Sequence, residues 1–168
     1  EWTGSTAAYT PVWTVRARSN STDKSVWMQG RCGWIFAYLC HTYGVKDEWL
    51  AASKSCLDFM EKYCINRKAG GRMYFTVTED GRPLRQRRYY FSKAFYALAN
   101  AEYYGVTGEK ENLERARRAY DRYWDLAHGM PDPVGMGPKT IPETRSGRAF
   151  GIPMIILNVT GVLLRVDG

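Results

Sequence analysis

The chain repeats itself at an offset of 61 residues, and that repeat limits the possible folds more than any other feature. Arg31 to Val45 aligns with Ser92 to Val106, so that Trp34 falls on Phe95, Leu39 on Asn100, Tyr43 on Tyr104, Gly44 on Gly105 and Val45 on Val106. Each copy reads as an aromatic-rich helix, a Tyr-Gly-Val turn and a second helix. One such hairpin cannot bury its apolar stripe alone. Successive hairpins therefore have to stack.

Hydrophobic spacing sets the expected elements. Trp27, Arg31, Trp34, Tyr38 and Cys40 or His41 recur at steps of three or four, which predicts a helix over 26–43 stopped by Gly44. Ser21, Thr22 and Asp23 offer capping oxygens before it. Asp47 restarts a helix that Trp49, Leu50, Ala52, Leu57, Met60 and Cys64 carry to about 65, and the short connection makes an αα-hairpin. Phe91, Phe95, Leu98, Ala99, Glu102 and Tyr103 predict a third helix stopped by Gly105. A fourth spans 109–127 with Leu113, Ala116, Tyr120, Tyr123, Trp124 and Ala127 as its apolar set. A Pro and Gly loop over 129–142 leads to a fifth, over 144–165. Between the hairpins, 72–78 is rich in β-formers, Glu79-Asp80-Gly81 is a turn, and 82–85 returns as one short β-hairpin. A loose alternation over 10–18 suggests one more short strand.

A chain of 168 residues suits one domain, here 1–168 with an atypical N-terminal segment over 1–22. Lys plus Arg exceeds Asp plus Glu by 24 to 17, a balance that permits an anionic partner but is ordinary for enzymes. That ordinary balance gives no expectation of a nucleic-acid partner, and no membrane partner is expected because the apolar stretch 149–164 is broken by Pro153, Asn158, Thr160 and Gly161. With no leader-like segment, the expected setting is the cytoplasm. Cys32, Cys40, Cys56 and Cys64 form no Cys-x-x-Cys pair, and His41 and His128 show no zinc spacing with them. The expectation is four reduced thiols, no metal and no cofactor, although Cys32 and Cys56 lie where a hairpin could join them.

The segment Asp23-Lys-Ser-Val-Trp-Met-Gln-Gly-Arg31-Cys-Gly-Trp34 resembles the N-acylglucosamine 2-epimerase (renin-binding protein) family. The resemblance continues through Gly70-Gly-Arg-Met-Tyr-Phe, Arg88-Tyr-Tyr-Phe-Ser, Ala94 to Tyr103, Lys139 to Ser146 and Ile152-Pro-Met-Ile-Ile-Leu-Asn158, covering roughly 22–167. It implies a mainly α fold: part of an (α/α)6 barrel, an arc of about five helices in antiparallel hairpins with one short β-hairpin. It also implies epimerisation at C2 of an N-acylated hexosamine, through two histidines that exchange the C2 proton and an inner-helix Arg that steadies the oxyanion. Arg31 matches that Arg and is the candidate substrate anchor; as a purely structural residue it would pair with Glu102, Asp58 or a backbone carbonyl. The same resemblance marks Tyr90, Ser92, Met154 and Asn158 as substrate-binding candidates. For Met154 and Asn158 the alternatives are core packing and an interhelical hydrogen bond.

Departures from the family also matter. His41 and His128 match no catalytic His motif and read as solvated or capping residues. Lys93 stands where the family commonly has an acid, which would reverse a charge near the pocket. Five helices would fill less than half of a twelve-helix ring. The second function hypothesis is therefore a non-catalytic binding or scaffold module made from such a half-barrel, natural or engineered. It would bind a protein partner or a second copy through exposed edges, with Trp2, Tyr9, Trp13, Tyr123 and Trp124 as aromatic anchors. Arg82, Arg85, Arg87 and Arg88 read as a solvated face paired with Glu79 and Asp80, with an anion or acidic-partner site as the alternative, and Arg115, Arg117, Arg118 and Arg122 on the fourth helix as an outer solvated face with Glu111 and Glu114. Gly135-Met-Gly-Pro-Lys-Thr140 is no phosphate loop, because Pro138 splits its Gly-Lys pair.

Overall fold

The computed structural model describes residues 21–86, 91–131, 143–144 and 150–168. Five helices dominate: α1 (Val26–Tyr43), α2 (Asp47–Tyr63), α3 (Phe91–Thr107), α4 (Lys110–Ala127) and α5 (Gly151–Asp167). The odd-numbered helices lie side by side as a row, α1 against α3 and α3 against α5, while α2 backs α1 and α4 backs α3. That is the stack of hairpins the repeat requires. Part of the Pro and Gly loop, and the strand expected over 10–18, lie outside the described residues.

The packing depends on two different stripes of α1. Gly30, Gly33, Ala37 and Cys40 face the core, whereas Trp27, Trp34 and Tyr38 are only partly buried beside the exposed Arg31. Small residues on the first stripe let α1 and α3 approach closely. A Cβ on Gly30 would stand 2.7 Å from Phe95 Cβ and 2.8 Å from the Phe95 carbonyl oxygen. The aromatic stripe is thereby turned toward the free side of the row.

Gly105 does not stop α3. It sits inside the helix, where a Cβ would meet Val166 Cγ1 of α5 at 2.7 Å, and the stop falls at Gly108 with φ +71°. A glycine after tyrosine has two uses here: Gly44 ends α1 at φ +91°, while Gly105 admits a neighbouring helix. Behind α3, the Asn100 amide donates to the Tyr96 carbonyl at 2.9 Å, and the Asn112 amide donates to Asn100 Oδ1 at 2.9 Å. This buried pair of amides ties α3 to α4 with its hydrogen bonds satisfied.

The β structure is more divided than one hairpin. β1 (Lys24–Ser25) pairs with β4 (Thr76–Val77), which pairs with β5 (Pro83–Arg85), and β2 (Ile65–Asn66) pairs separately with β3 (Arg72–Met73); all are antiparallel. The expected run over 72–78 thus serves two sheets. The capping expected of Ser21 to Asp23 is also displaced. β1 intervenes, the Ser21 hydroxyl accepts from the Asp23 N–H at 3.1 Å, and the first helical N–H, on Val26, donates to Phe75 O at 3.0 Å.

The four cysteines are free and buried. Tyr123 is no surface anchor: it is 1% exposed, its ring lies beside Phe91, and its hydroxyl donates to the Ile152 carbonyl at 3.4 Å. Its place on α4 follows the spacing of the buried Leu113, Ala116 and Ala119, which a search for exposed aromatics overlooks. Trp124, the next residue, is 44% exposed, with its ring against Tyr120 and His128. Trp2, Tyr9 and Trp13 lie outside the described residues. No described helix is long and apolar enough to cross a membrane, and no described cluster of His, Cys, Asp or Glu could hold a metal ion.

Candidate substrate site

The aromatic stripe of α1 and the facing side of α3 enclose a cavity of about 550 Å³, lined by Met28, Arg31, Trp34 and Phe36 of α1, by Phe95 and Leu98 of α3, and by Asn158 of α5. Its volume falls within the range of small-ligand sites. The repeat explains its symmetry, because Trp34 and Phe95 are equivalent positions on two equivalent helices.

Arg31 sits at this cavity with its guanidinium over the Phe95 ring, 4.5 Å from the centroid, and 6.0 Å from that of Trp27. Its polar contact is Nη1 to Met28 Sδ at 4.0 Å, and no carboxylate pairs with it among the described residues. The alternative partner Glu102 is taken by others. Its carboxylate accepts from Trp34 Nε1 at 3.1 Å and from the Arg165 guanidinium, and His41 Nδ1 lies 3.3 Å away. Asp58 pairs with Lys54. Stacking thus places the Arg31 charge without neutralising it.

Of the expected site residues, Arg31 and Asn158 meet in one cavity. Met154 shares the exposed side of α5, at 50% exposure, but does not line the cavity. Ser92 is buried in the first turn of α3, away from the lining. Tyr90 lies outside the described residues. Cys32 borders the cavity, and burial pushes its thiol up to about 11. Glu102, expected on α3 and as an alternative partner of Arg31, is instead a buried acceptor for Trp34 and Arg165. A lone carboxylate in the apolar run Ala97 to Tyr103 was the available signal, since a buried acid needs partners.

Neither histidine enters the cavity. His41 is exposed and its Nδ1 stands 3.3 Å from the Glu102 carboxylate, and His128 Nδ1 lies 2.8 Å from the Trp124 carbonyl oxygen. Lys93 is also misplaced by the sequence reading. It faces the outer side of α3, between α2 and α4, and reverses no charge at this cavity.

Paired helical hairpins with an aromatic cavity on the free side of the inner row define an α/α-toroid arc. The chain belongs to the N-acylglucosamine 2-epimerase (GlcNAc 2-epimerase) family, whose model matches residues 16–148. It is 32% identical over 147 residues to the N-acylglucosamine 2-epimerase of Rattus norvegicus, covering 86% of this chain and 34% of the rat protein. It is 30% identical over 121 residues to a cellobiose 2-epimerase of Ruminococcus albus, covering 62% of this chain and 31% of that protein. The structure of cellobiose 2-epimerase from Bacillus thermoamylovorans superposes with a TM-score of 0.83 at 17% identity, over 98% of this chain and 45% of that one. That neighbour is an (α/α)6 barrel, and the five described helices match part of its ring. The chain therefore spans about a third of the length of the curated relatives it matches.

Proposed function

We propose that this chain forms one wall of a sugar 2-epimerase site and binds an N-acylated hexosamine through Arg31 and Asn158. The observation that carries this is the Arg31 guanidinium, stacked on Phe95 at the mouth of the cavity with no acid beside it among the described residues. Epimerisation at C2 removes a proton next to the C1 carbonyl, and negative charge develops on the C1 oxygen. A guanidinium already oriented by stacking can donate to that oxygen with little reorganisation. The Asn158 amide, both donor and acceptor, suits a hydroxyl or the N-acyl group. The aromatic wall shields the apolar face of the sugar ring from water.

Exchange of the proton between the two faces of C2 needs two bases held across one substrate. His41 and His128 are engaged elsewhere, so the described helices supply an anchor and a wall, and the bases come from outside this cavity lining. Binding and turnover are therefore separable. Titration with N-acetylglucosamine and N-acetylmannosamine, followed by NMR, should show saturable binding that Arg31→Ala weakens about ten- to a hundredfold, the loss of one charge-assisted hydrogen bond. Binding unchanged in Arg31→Ala would remove the anchor role. Deuterium incorporation at C2 in heavy water reports turnover independently.

A second reading rests on Ile35, Leu157 and Leu164, large apolar side chains exposed on α1 and α5. Such surfaces serve as protein interfaces, with another protein or a second copy as partner. Sedimentation velocity separates the two readings: a concentration-dependent dimer supports the interface, and a monomer that still binds sugar supports the pocket alone.

A further inference from the structure

A second cavity, of about 370 Å³, opens on the opposite flank of α3, between α2, α4 and the turn joining β2 to β3. We propose that it binds a phosphate-type oxyanion, either inorganic phosphate or the phosphate of a small ester. Five cations line it, Arg67, Lys93, Arg115, Arg118 and Arg122, against the single carboxylate of Glu61. Arg115, Arg118 and Arg122 recur at the spacing of one helical face, so α4 aims three guanidinium groups at one place.

The lone acid is already engaged. Glu61 accepts from Arg67 Nη2 at 2.8 Å and from the Tyr96 hydroxyl. Arg115 and Arg118 pair with Glu111 and Glu114, exposed acids that do not line the cavity, and pairs of this kind contribute little. Lys93 and Arg122 have no acid beside them among the described residues. Desolvation and the Arg122 charge push the Lys93 ammonium down to about 8. Like charges held together in a partly buried site are unfavourable unless something neutralises them.

A dianion with three or four acceptor oxygens fits this deficit better than a carboxylate. It can accept from guanidinium forks on one side and an ammonium on the other. The cavity is larger than a bare phosphate, so it also has room for a small organic ester. Its lining shares no residue with the sugar cavity, so it stands whether or not the sugar reading holds.

Calorimetric titration of the 168-residue chain at constant ionic strength, with inorganic phosphate and separately with glucose 6-phosphate, tests the site. One-to-one binding is expected, weakened about tenfold by Lys93→Met and by Arg122→Gln, and changed less than about twofold by Arg82→Gln, which removes the same charge outside the cavity. Tighter binding of glucose 6-phosphate identifies an ester as the ligand, and equal binding identifies free phosphate. Absence of saturation for both probes at about 20 mM, or an equal loss in Arg82→Gln, overturns the proposal. Should a variant fail to fold, the Lys93 titration read by NMR in the unsubstituted chain decides instead. Saturating phosphate must raise it, and an unmoved titration is a refutation.

Discussion

Gly30→Ala sets two effects of one methyl group against each other. In a helix interior the change from glycine to alanine favours folding by about 1 kcal/mol. Against this, the new Cβ would lie 2.7 Å from Phe95 Cβ, 2.8 Å from the Phe95 carbonyl oxygen and 2.9 Å from its carbonyl carbon. Two of those three atoms are main chain, so relief requires α3 to back away from α1 along their contact. Overpacking of that kind costs about 3 kcal/mol at the upper end of its range, leaving a net loss of about 2 kcal/mol. With a urea slope of about 2 kcal/mol per molar, the unfolding midpoint should fall by about 1 M. Gly161→Ala, on α5 with no atom within 4 Å of the added Cβ, is the internal control and should raise the midpoint by about 0.5 M. Gly105→Ala should fall between them, because its neighbour at 2.7 Å is a side-chain methyl of Val166 near the end of α5. A Gly30→Ala midpoint at or above that of the parent would refute the close approach of α1 and α3. The same variant should weaken sugar binding, since Phe95 carries the Arg31 guanidinium.

Two further outcomes concern titration and reactivity. All four thiols are buried, with Cys32 pushed up to about 11 and Cys64 to about 12 by desolvation, so a thiol-exchange reagent at neutral pH should label the native chain slowly and label four sites promptly once it is denatured. Fast native labelling would contradict that burial. Lys93 titrates near 8 in the folded chain but at about 10.4 when unfolded, so between those values the unfolded state holds a proton the native state has released and stability rises with pH. Lys93→Met should lack this alkaline gain in denaturation curves measured without phosphate, and an identical pH profile for both chains would contradict it.

Helix existence and order were legible because the repeat and the spacing of Leu113, Ala116 and Tyr123 report burial directly. What escaped the sequence depended on distant contacts. Gly105 matches Gly44 letter for letter, yet only the arrival of Val166 makes it a packing glycine. Residues 72–78 have strand character, but β1 and β2 divide them between two sheets. Arg31 stood out through a family motif, whereas its freedom from Glu102 depends on Arg165, far along the chain. The pairs of Arg115 with Glu111 and Arg118 with Glu114 follow from helical spacing, but the cavity that these arginines and Arg122 also line depends on α2 and the turn between β2 and β3.

The anchoring of α5 bears on affinity. It buries only Val159 and Val162 fully; Ile152, Ile155, Ile156, Leu163 and Val166 pack half-buried against the core, and polar ties run from Arg165 to Glu102, from Arg117 to Asp167, and between the Tyr120 and Thr160 hydroxyls 2.6 Å apart. A helix with fewer fully buried residues than α1 or α3 undocks at lower cost than they do. Because Asn158 rides on α5 while Arg31 rides on α1, the proposed sugar cavity is whole only in the docked fraction of molecules. Measured affinity is then the intrinsic affinity multiplied by that fraction. Whatever clamps α5 from outside would tighten sugar binding without touching the sugar.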